Sequence, residues 1–456
     1  MRTFVRISCL LPVATLMAVA VACGSNDGSP GGLTPDGGLP LPPEPRDDGG
    51  TDASDSGSDA APVSRCGNGE LDPGEECDLG ATEALSCKSC QIPEYTLSTL
   101  STVYDVSPTV AASNRGYVVA WIPDEGSAVF SSAIDSSGAV EGSPKRLDTQ
   151  NGATYFSDSI KLAAGSNGFL ASWSGRSSEV SLKELFRPLD TFGEPQGDGM
   201  IRVDARSLYY TLVARSDSDG YLSIYSYETY PEKNWSLRQV PMSREGVPDP
   251  ALDTPVVSPT NSRSTDWIAA ASGYEGSSVL AWMERGKMNT DPSEVHVASI
   301  KNGKPTWSTA FPRTYELLVK PNVAMLPDGR AFVAWNAGFS NRIEVAWLGA
   351  DGTPGNIVTL EQDAGIATPA IAYSPKGEVI VVWEGGGHDI RARRFSSNGS
   401  PVDTENVLIT RSPVEVEKPA VAAGADGSFL VVYRESKPGN AIRYQLLPPG
   451  FRKKPN

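Results

Sequence analysis

The chain has 456 residues, of which 45 are Gly and 36 Pro, with 21% charged side chains and a formal charge of -16. That length can bury a sizeable core, and the acidic balance argues against nucleic acid as a partner. The acidity is unevenly spread and marks out segments.

Residues 1–22 carry Arg2 and Arg6, then an apolar run from Ile7 to Ala22 that Pro12 interrupts. The run is shorter than the roughly 20 residues a membrane-spanning helix needs and ends in small residues, as a secretory signal does. Its last residues, Ala20-Val21-Ala22-Cys23-Gly24, resemble a bacterial lipobox. The resemblance implies that Cys23 is lipidated and becomes the mature N-terminus, with Ala20 standing where the family usually has Leu. The rival reading is an ordinary cleaved signal with an incidental Cys23. One acyl anchor gives limited membrane affinity unless further acylation follows.

Residues 24–64 are dominated by Gly, Pro, Ser and Asp, with eight acidic residues against one basic, Arg46. So few apolar groups cannot offset the entropy of ordering the chain, so a disordered, self-repelling acidic tether is expected.

Residues 65–93 hold Cys66, Cys77, Cys87 and Cys90, the cysteines left once Cys9 is assigned to the signal and Cys23 to the lipid. An even count in an exported context implies two disulfides, with three pairings open. Zinc is the rival, given Cys87-Lys-Ser-Cys90, but Cys66 and Cys77 form no second close pair and the compartment is oxidising.

Carboxylates crowd the same module, from Glu70 to Asp78, and repel each other unless solvated or bridged by a cation such as Ca²⁺. The string looks like the cysteine-rich repeat of myxobacterial surface proteins. Its Cys-Gly-Asn…Gly-Glu-Glu-Cys-Asp frame is similar to the calcium site of disintegrin domains. That resemblance implies side-chain ligands from Asn68, Asp72, Glu75 and Asp78, and the backbone carbonyl of Glu70. Two departures stand against it: Asp72 replaces a longer acid, and Gly80 stands where the family has its next cysteine. The alternative is a solvated acidic loop on a disulfide knot.

From residue 108 to the C-terminus a phrase recurs: Pro-Ala-Ile-Ala, a polar turn ending in Gly377, then Glu-Val-Ile-Val-Val-Trp383. Seven copies close on Trp121, Trp173, Tyr225, Trp282, Trp335, Trp383 and Tyr433, spaced 52, 52, 57, 53, 48 and 50 residues apart. Short β-branched and aromatic runs between turn residues read as strands. In the sixth copy strands are expected at 369–373, 379–383, 390–395 and 407–410. Four strands per unit of this length is a β-propeller blade, so the fold class is all-β, a seven-bladed β-propeller over 94–456. The seventh copy shows only three strands, at 419–423, 429–433 and 442–446. The spare run Tyr95-Thr-Leu-Ser-Thr-Leu100 is therefore expected to complete it, leaving no unpaired edge.

The phrase is not that of WD40 repeats. It resembles large bacterial surface-protein repeats reading Pro-x-Val-Ala, Asp-Gly, Phe-Val-Val-Trp, Ile-x-Ala-Arg-x-Phe and Asp-x-x-Gly, matched best at 370–399 and 419–445. Together the resemblances point to a myxobacterial-type surface lipoprotein.

In a propeller the loops joining strands one to two and three to four share one face, and here those of the first kind are short Gly turns. The opposite face varies, with insertions over 226–234, 246–264 and 283–293, and binding is expected there. Tyr227, Tyr230 and Trp235 are the candidate ligand-binding aromatics, able to stack on sugars or an aromatic peptide. The rival is packing between blades, the role assigned to the periodic Trp residues.

Catalysis is the minor reading. His296 and His388 have no nucleophile motif nearby, and no catalytic-metal spacing or sialidase-type box occurs. The chain is therefore expected to be a non-enzymatic binding or scaffolding protein, membrane-attached through its lipid at the outer membrane or cell surface, with an extracytoplasmic protein or glycan as partner. The alternative is a carbohydrate-active propeller drawing paired carboxylates from separate blades, with Asp124, Glu125, Glu284, Glu384 and Glu435 on the variable face.

Overall fold

The computed structural model describes residues 66–453 except for loop stretches, the longest being 101–106, 177–182, 258–263, 286–292 and 312–318. The signal segment, Cys23, the acidic tether, Asp124, Glu125 and Tyr230 lie outside the described residues.

Seven antiparallel sheets follow one another along the chain. Blades 1 to 6 occupy 109–146, 154–204, 210–257, 264–310, 319–361 and 370–408, and blade 7 runs over 415–447. Blade 2 carries a fifth short strand, Thr154–Tyr155, paired to the end of Gly168–Arg176. Among the described residues the one helical element is a single turn, Pro250–Leu252.

Ring closure is as the strand inventory predicts. Tyr95–Thr99 pairs antiparallel with Ala441–Leu447, placing Tyr95 opposite Tyr444 and Thr99 opposite Ala441. The Tyr95 and Tyr444 rings stack with centroids 5.3 Å apart. Blade 7 thus takes three strands from the C-terminal end of the chain and one from just after the cysteine module, which pairs Ala441–Leu447 on both sides.

The second strand of each blade explains the uniform apolar phrase. Val118, Val119 and Ala120 are buried although they alternate in direction, because a blade has a neighbour on both faces. Seven buried clusters fill the seven seams, and six of the closing aromatics plug the seam with the preceding blade. Trp121 packs against blade 7, Trp173 against blade 1, Trp282 against blade 3, Trp335 against blade 4, Trp383 against blade 5 and Tyr433 against blade 6.

The three-to-four turns lock the ring on the face they share with the one-to-two turns. Ser131 of blade 1 donates to the Gly193 carbonyl at 2.9 Å, Thr309 of blade 4 to Gly352 at 2.6 Å and Tyr444 of blade 7 to Gly138 at 2.9 Å. The one-to-two turns need glycine where the strands leave the turn. At Gly168 (φ +153°) a Cβ would run into the Leu189 carbonyl oxygen.

Of the three open disulfide pairings the structure shows the nested one, Cys66–Cys90 around Cys77–Cys87. Cys77, Cys87 and Ile92 share a buried cluster with Val431 and Tyr433 of blade 7 and with Phe451 beyond its last strand. Arg452 N–H donates to the Glu76 carbonyl at 2.8 Å and Tyr95 Oη to the Leu85 carbonyl at 3.1 Å, so the module seals the seam where the ring closes.

Candidate functional site

Second strands end, and first and third strands begin, on the variable face. Three of the five carboxylates anticipated there are described, at the ends of the second strands of blades 4, 6 and 7: Glu284, Glu384 and Glu435.

Glu435 does structural work. Its Oε1 accepts from Gly439 N–H at 3.1 Å and its Oε2 from Arg443 Nε at 2.5 Å, closing the hairpin between two strands of its own blade.

Glu384 stands differently. It follows Trp383, is 7% exposed, and holds His388 Nδ1 at 3.3 Å from Oε1. Burial pushes its carboxyl up to about 7, helped by the negative charge of Glu417 across the blade boundary, while His388 and the Lys418 amide N–H oppose the rise. That amide is aimed by backbone geometry. The inner strand Glu415–Ala423 bulges between Glu417 and Ala420, and Lys418 takes φ +54°. Arg434 Nη1 holds Glu417 Oε1 at 2.9 Å. Burial, and then Arg434, pull the Lys418 amine down to about 8. A carboxyl able to keep its proton near neutrality thus sits beside a second carboxylate engaged by a guanidinium.

A second constellation crowns blade 4. His296 Nε2 lies 3.5 Å from Glu284 Oε2 and 3.1 Å from Glu294 Oε2, so the imidazole bridges the two carboxylates. The imidazole stacks on Trp282 at 5.4 Å, and Trp282 Nε1 donates to Glu284 Oε1 at 3.3 Å. His296 is therefore held by three side chains. His388, 59% exposed at its side chain, is reached from solvent.

The two described aromatic candidates, Tyr227 and Trp235, do not form one platform. Tyr227 lies opposite Ser236 and Trp235 opposite Glu228, so the two rings leave opposite faces of the blade 3 sheet. Arg238 covers the Tyr227 ring at 5.4 Å. The 226–234 insertion is mostly an extension of paired strands, Gly220–Thr229 with Asn234–Ser243.

In the cysteine module, Asn68 Nδ2 donates to Asp72 Oδ2 at 3.2 Å, Asp72 N–H to Glu75 Oε2 at 3.0 Å and Glu70 N–H to Asn68 Oδ1 at 2.6 Å. Asp78 accepts from the amides of Gly67, Asn68 and Gly80. The five residues of the calcium expectation thus share one loop. Cys66 and Cys90 approach Glu75, but their sulfurs are consumed in a disulfide, which removes the thiolates that zinc requires.

Sequence reasoning missed Glu417, Lys418 and Arg434. The signal was present, because the seventh phrase alone is preceded by Glu-Val-Glu-Lys, charges set directly before an inner strand.

No protein-family model matches the chain, and no curated protein matches it. Among solved structures it is similar to an ulvan lyase, a polysaccharide lyase, at 10% identity and TM-score 0.50, over 77% of this chain and 94% of that one. It is also similar to the intramolecular trans-sialidase of Ruminococcus gnavus (8% identity, TM-score 0.45, 76% and 94% covered). A Dyadobacter fermentans protein of unknown function is similar at 13% identity and TM-score 0.45, over 79% and 99%. At these identities likeness shows the fold. The ulvan lyase nonetheless overturns the expectation of a non-enzymatic chain. That expectation rested on missing local motifs, and a propeller can carry catalysis without them, since its acids come from strand ends of separate blades.

Proposed function

We propose that the chain is a carbohydrate-active propeller enzyme, a glycosidase acting on an extracytoplasmic glycan, with Glu384 and Glu417 as the working carboxylates. The observation that supports this reading is the pair astride blades 6 and 7. Glu384, raised to about 7 by burial and by Glu417, is suited to give a proton to a glycosidic oxygen near neutral pH. Glu417, held by Arg434 at 2.9 Å, is suited to activate water or attack the anomeric carbon. His388 steadies the Glu384 carboxyl.

The test is a panel of polysaccharides with reducing-end release and absorbance of unsaturated sugars as readouts. Glu384→Gln should lower turnover about 10²–10⁴-fold, the usual worth of a general acid, with the fold intact. Undiminished turnover in that variant would sink the assignment, and unsaturated products would move the chemistry from hydrolysis to elimination.

Two nested disulfides fit an oxidising, extracytoplasmic setting. Within it, the reading is a myxobacterial-type surface lipoprotein anchored through Cys23 at the outer membrane or cell surface. Cys23→Ser should move the protein from the membrane fraction to the soluble one, and unchanged fractionation would refute the anchor. Calcium in the cysteine module is supported by the shared loop of Asn68, Glu70, Asp72, Glu75 and Asp78. Millimolar Ca²⁺ should then raise the melting temperature of the full chain and chelator lower it, whereas superimposable melts would remove the ion from the account.

A further inference from the structure

The turn that follows Glu384 reads Gly385-Gly-Gly-His388-Asp389. Three glycines precede the histidine, yet the residue of this turn in the left-handed region is His388, at φ +58°. A side chain is strained there where glycine is not, and such an outlier points to a role for the side chain. The backbone beneath it is held to two blades. His388 N–H donates to the Gly385 carbonyl at 3.1 Å, Gly385 N–H to the Asp389 carbonyl at 2.9 Å, and Val416 N–H of blade 7 to the His388 carbonyl at 2.9 Å. Arg391 fixes the far end of the turn, gripping the Asp389 carboxylate with Nε at 2.8 Å and Nη2 at 3.1 Å.

The imidazole so placed joins a buried acid to water. Glu384 is 7% exposed and the His388 side chain 59%, with Nδ1 at 3.3 Å from Glu384 Oε1. Among the described residues His388 is the one ionisable side chain hydrogen-bonded to Glu384. The other charged groups around the pair are engaged elsewhere: Asp389 by Arg391, and Glu417 by Arg434 at 2.9 Å. Lys418 meets Glu384 through its amide N–H, which gives up no proton at neutral pH. A general acid that gives its proton away in each cycle must recover it. Imidazole, with an ordinary pKa of about 6.5 beside the value of about 7 for Glu384, passes that proton at little cost in either direction.

We infer that His388 is a proton relay between solvent and Glu384. Once Glu384 has protonated the leaving glycosidic oxygen, the imidazolium passes its Nδ1 proton to the Glu384 carboxylate. The neutral ring then takes a proton from a buffer acid or from water, which departs as its conjugate base. His388 acts through Glu384 and is a positioning residue, not a catalytic one. The relay rests on the glycosidase reading for the reaction it serves; the proton shared by the two side chains does not.

Histidine ring NMR of the full chain tests the pair without turnover. The chain holds 2 histidines, and His388→Asn, which suits a left-handed turn, assigns the signal of His388. Across neutral pH the His388 signal should move in two steps in the parent. In Glu384→Gln it should move in one, at lower pH, because the carboxylate that favours imidazolium is gone. A single step at the same pH in both proteins would overturn the relay. With a glycan that the chain hydrolyses, His388→Asn should lower kcat about tenfold, less than the roughly 10²–10⁴-fold worth of the acid itself, and imidazole in the buffer should restore most of it. A loss that imidazole leaves untouched would reduce His388 to a support for the turn and also overturn the relay. Two-step titration in a chain that hydrolyses no glycan would refute the glycosidase reading and leave the shared proton standing.

Discussion

Glu184 illustrates what burial does to a single side chain. It sits on the third strand of blade 2, at the seam with blade 3, where Ser223 Oγ donates to its Oε1 at 3.2 Å. Burial pushes its carboxyl up from 4.5 to about 8, with the Ser223 hydroxyl opposing. A folded-state value above the unfolded one means that the folded chain holds the extra proton. Stability is then full below about 4.5 and lost as pH rises through about 8, on the order of a few kcal/mol. Glu384 acts with the same sign up to about 7. Denaturant melts from pH 5 to 9 should show the decline, and in Glu184→Gln it should stop near pH 7. A variant whose decline matches the parent's would show that Glu184 is not the buried acid responsible. None of this could be read beforehand, because Lys183-Glu184-Leu-Phe is an unremarkable strand until its neighbour is known. Glu384 was legible as a candidate from its place after Trp383, but its partner Glu417 lies 33 positions on and meets it only across a blade boundary.

At the scale of elements the strands were the most legible feature. The expected sixth blade, 369–373, 379–383 and 390–395, corresponds to Ala370–Tyr373, Glu378–Glu384 and Ile390–Ser396, because apolar runs between glycine turns leave little choice. The fourth strand is shorter than expected, Val407–Leu408, as outer strands have only one neighbour. The bulge in blade 4 was not legible, since neither skipped residue, Trp267 or Ile268, is Gly or Pro, whereas in blade 7 Pro419, which cannot donate to the ladder, marked the skip. The closing strand invites a direct test. Replacing 95–99 by a Gly-Ser stretch removes its ladder to Ala441–Leu447 and exposes that edge. The altered chain should melt lower and form oligomers on size exclusion, whereas a monomer of unchanged melting temperature would mean that the ring holds without its seam.

For the molecule as a whole, the repeat period determined the number of blades, their order and the joining of the two ends. Those properties depend on local strand pattern and on the need to pair every edge, and both are written along the chain. What the tertiary structure decided is which of three disulfide pairings forms, that the cysteine module packs into the blade 6–7 seam, and which acids meet. These depend on contacts between residues far apart in sequence, brought together by ring closure. Desolvation and neighbouring charge, the two influences that raise Glu384 and lower Lys418, exist only once blades 6 and 7 lie side by side.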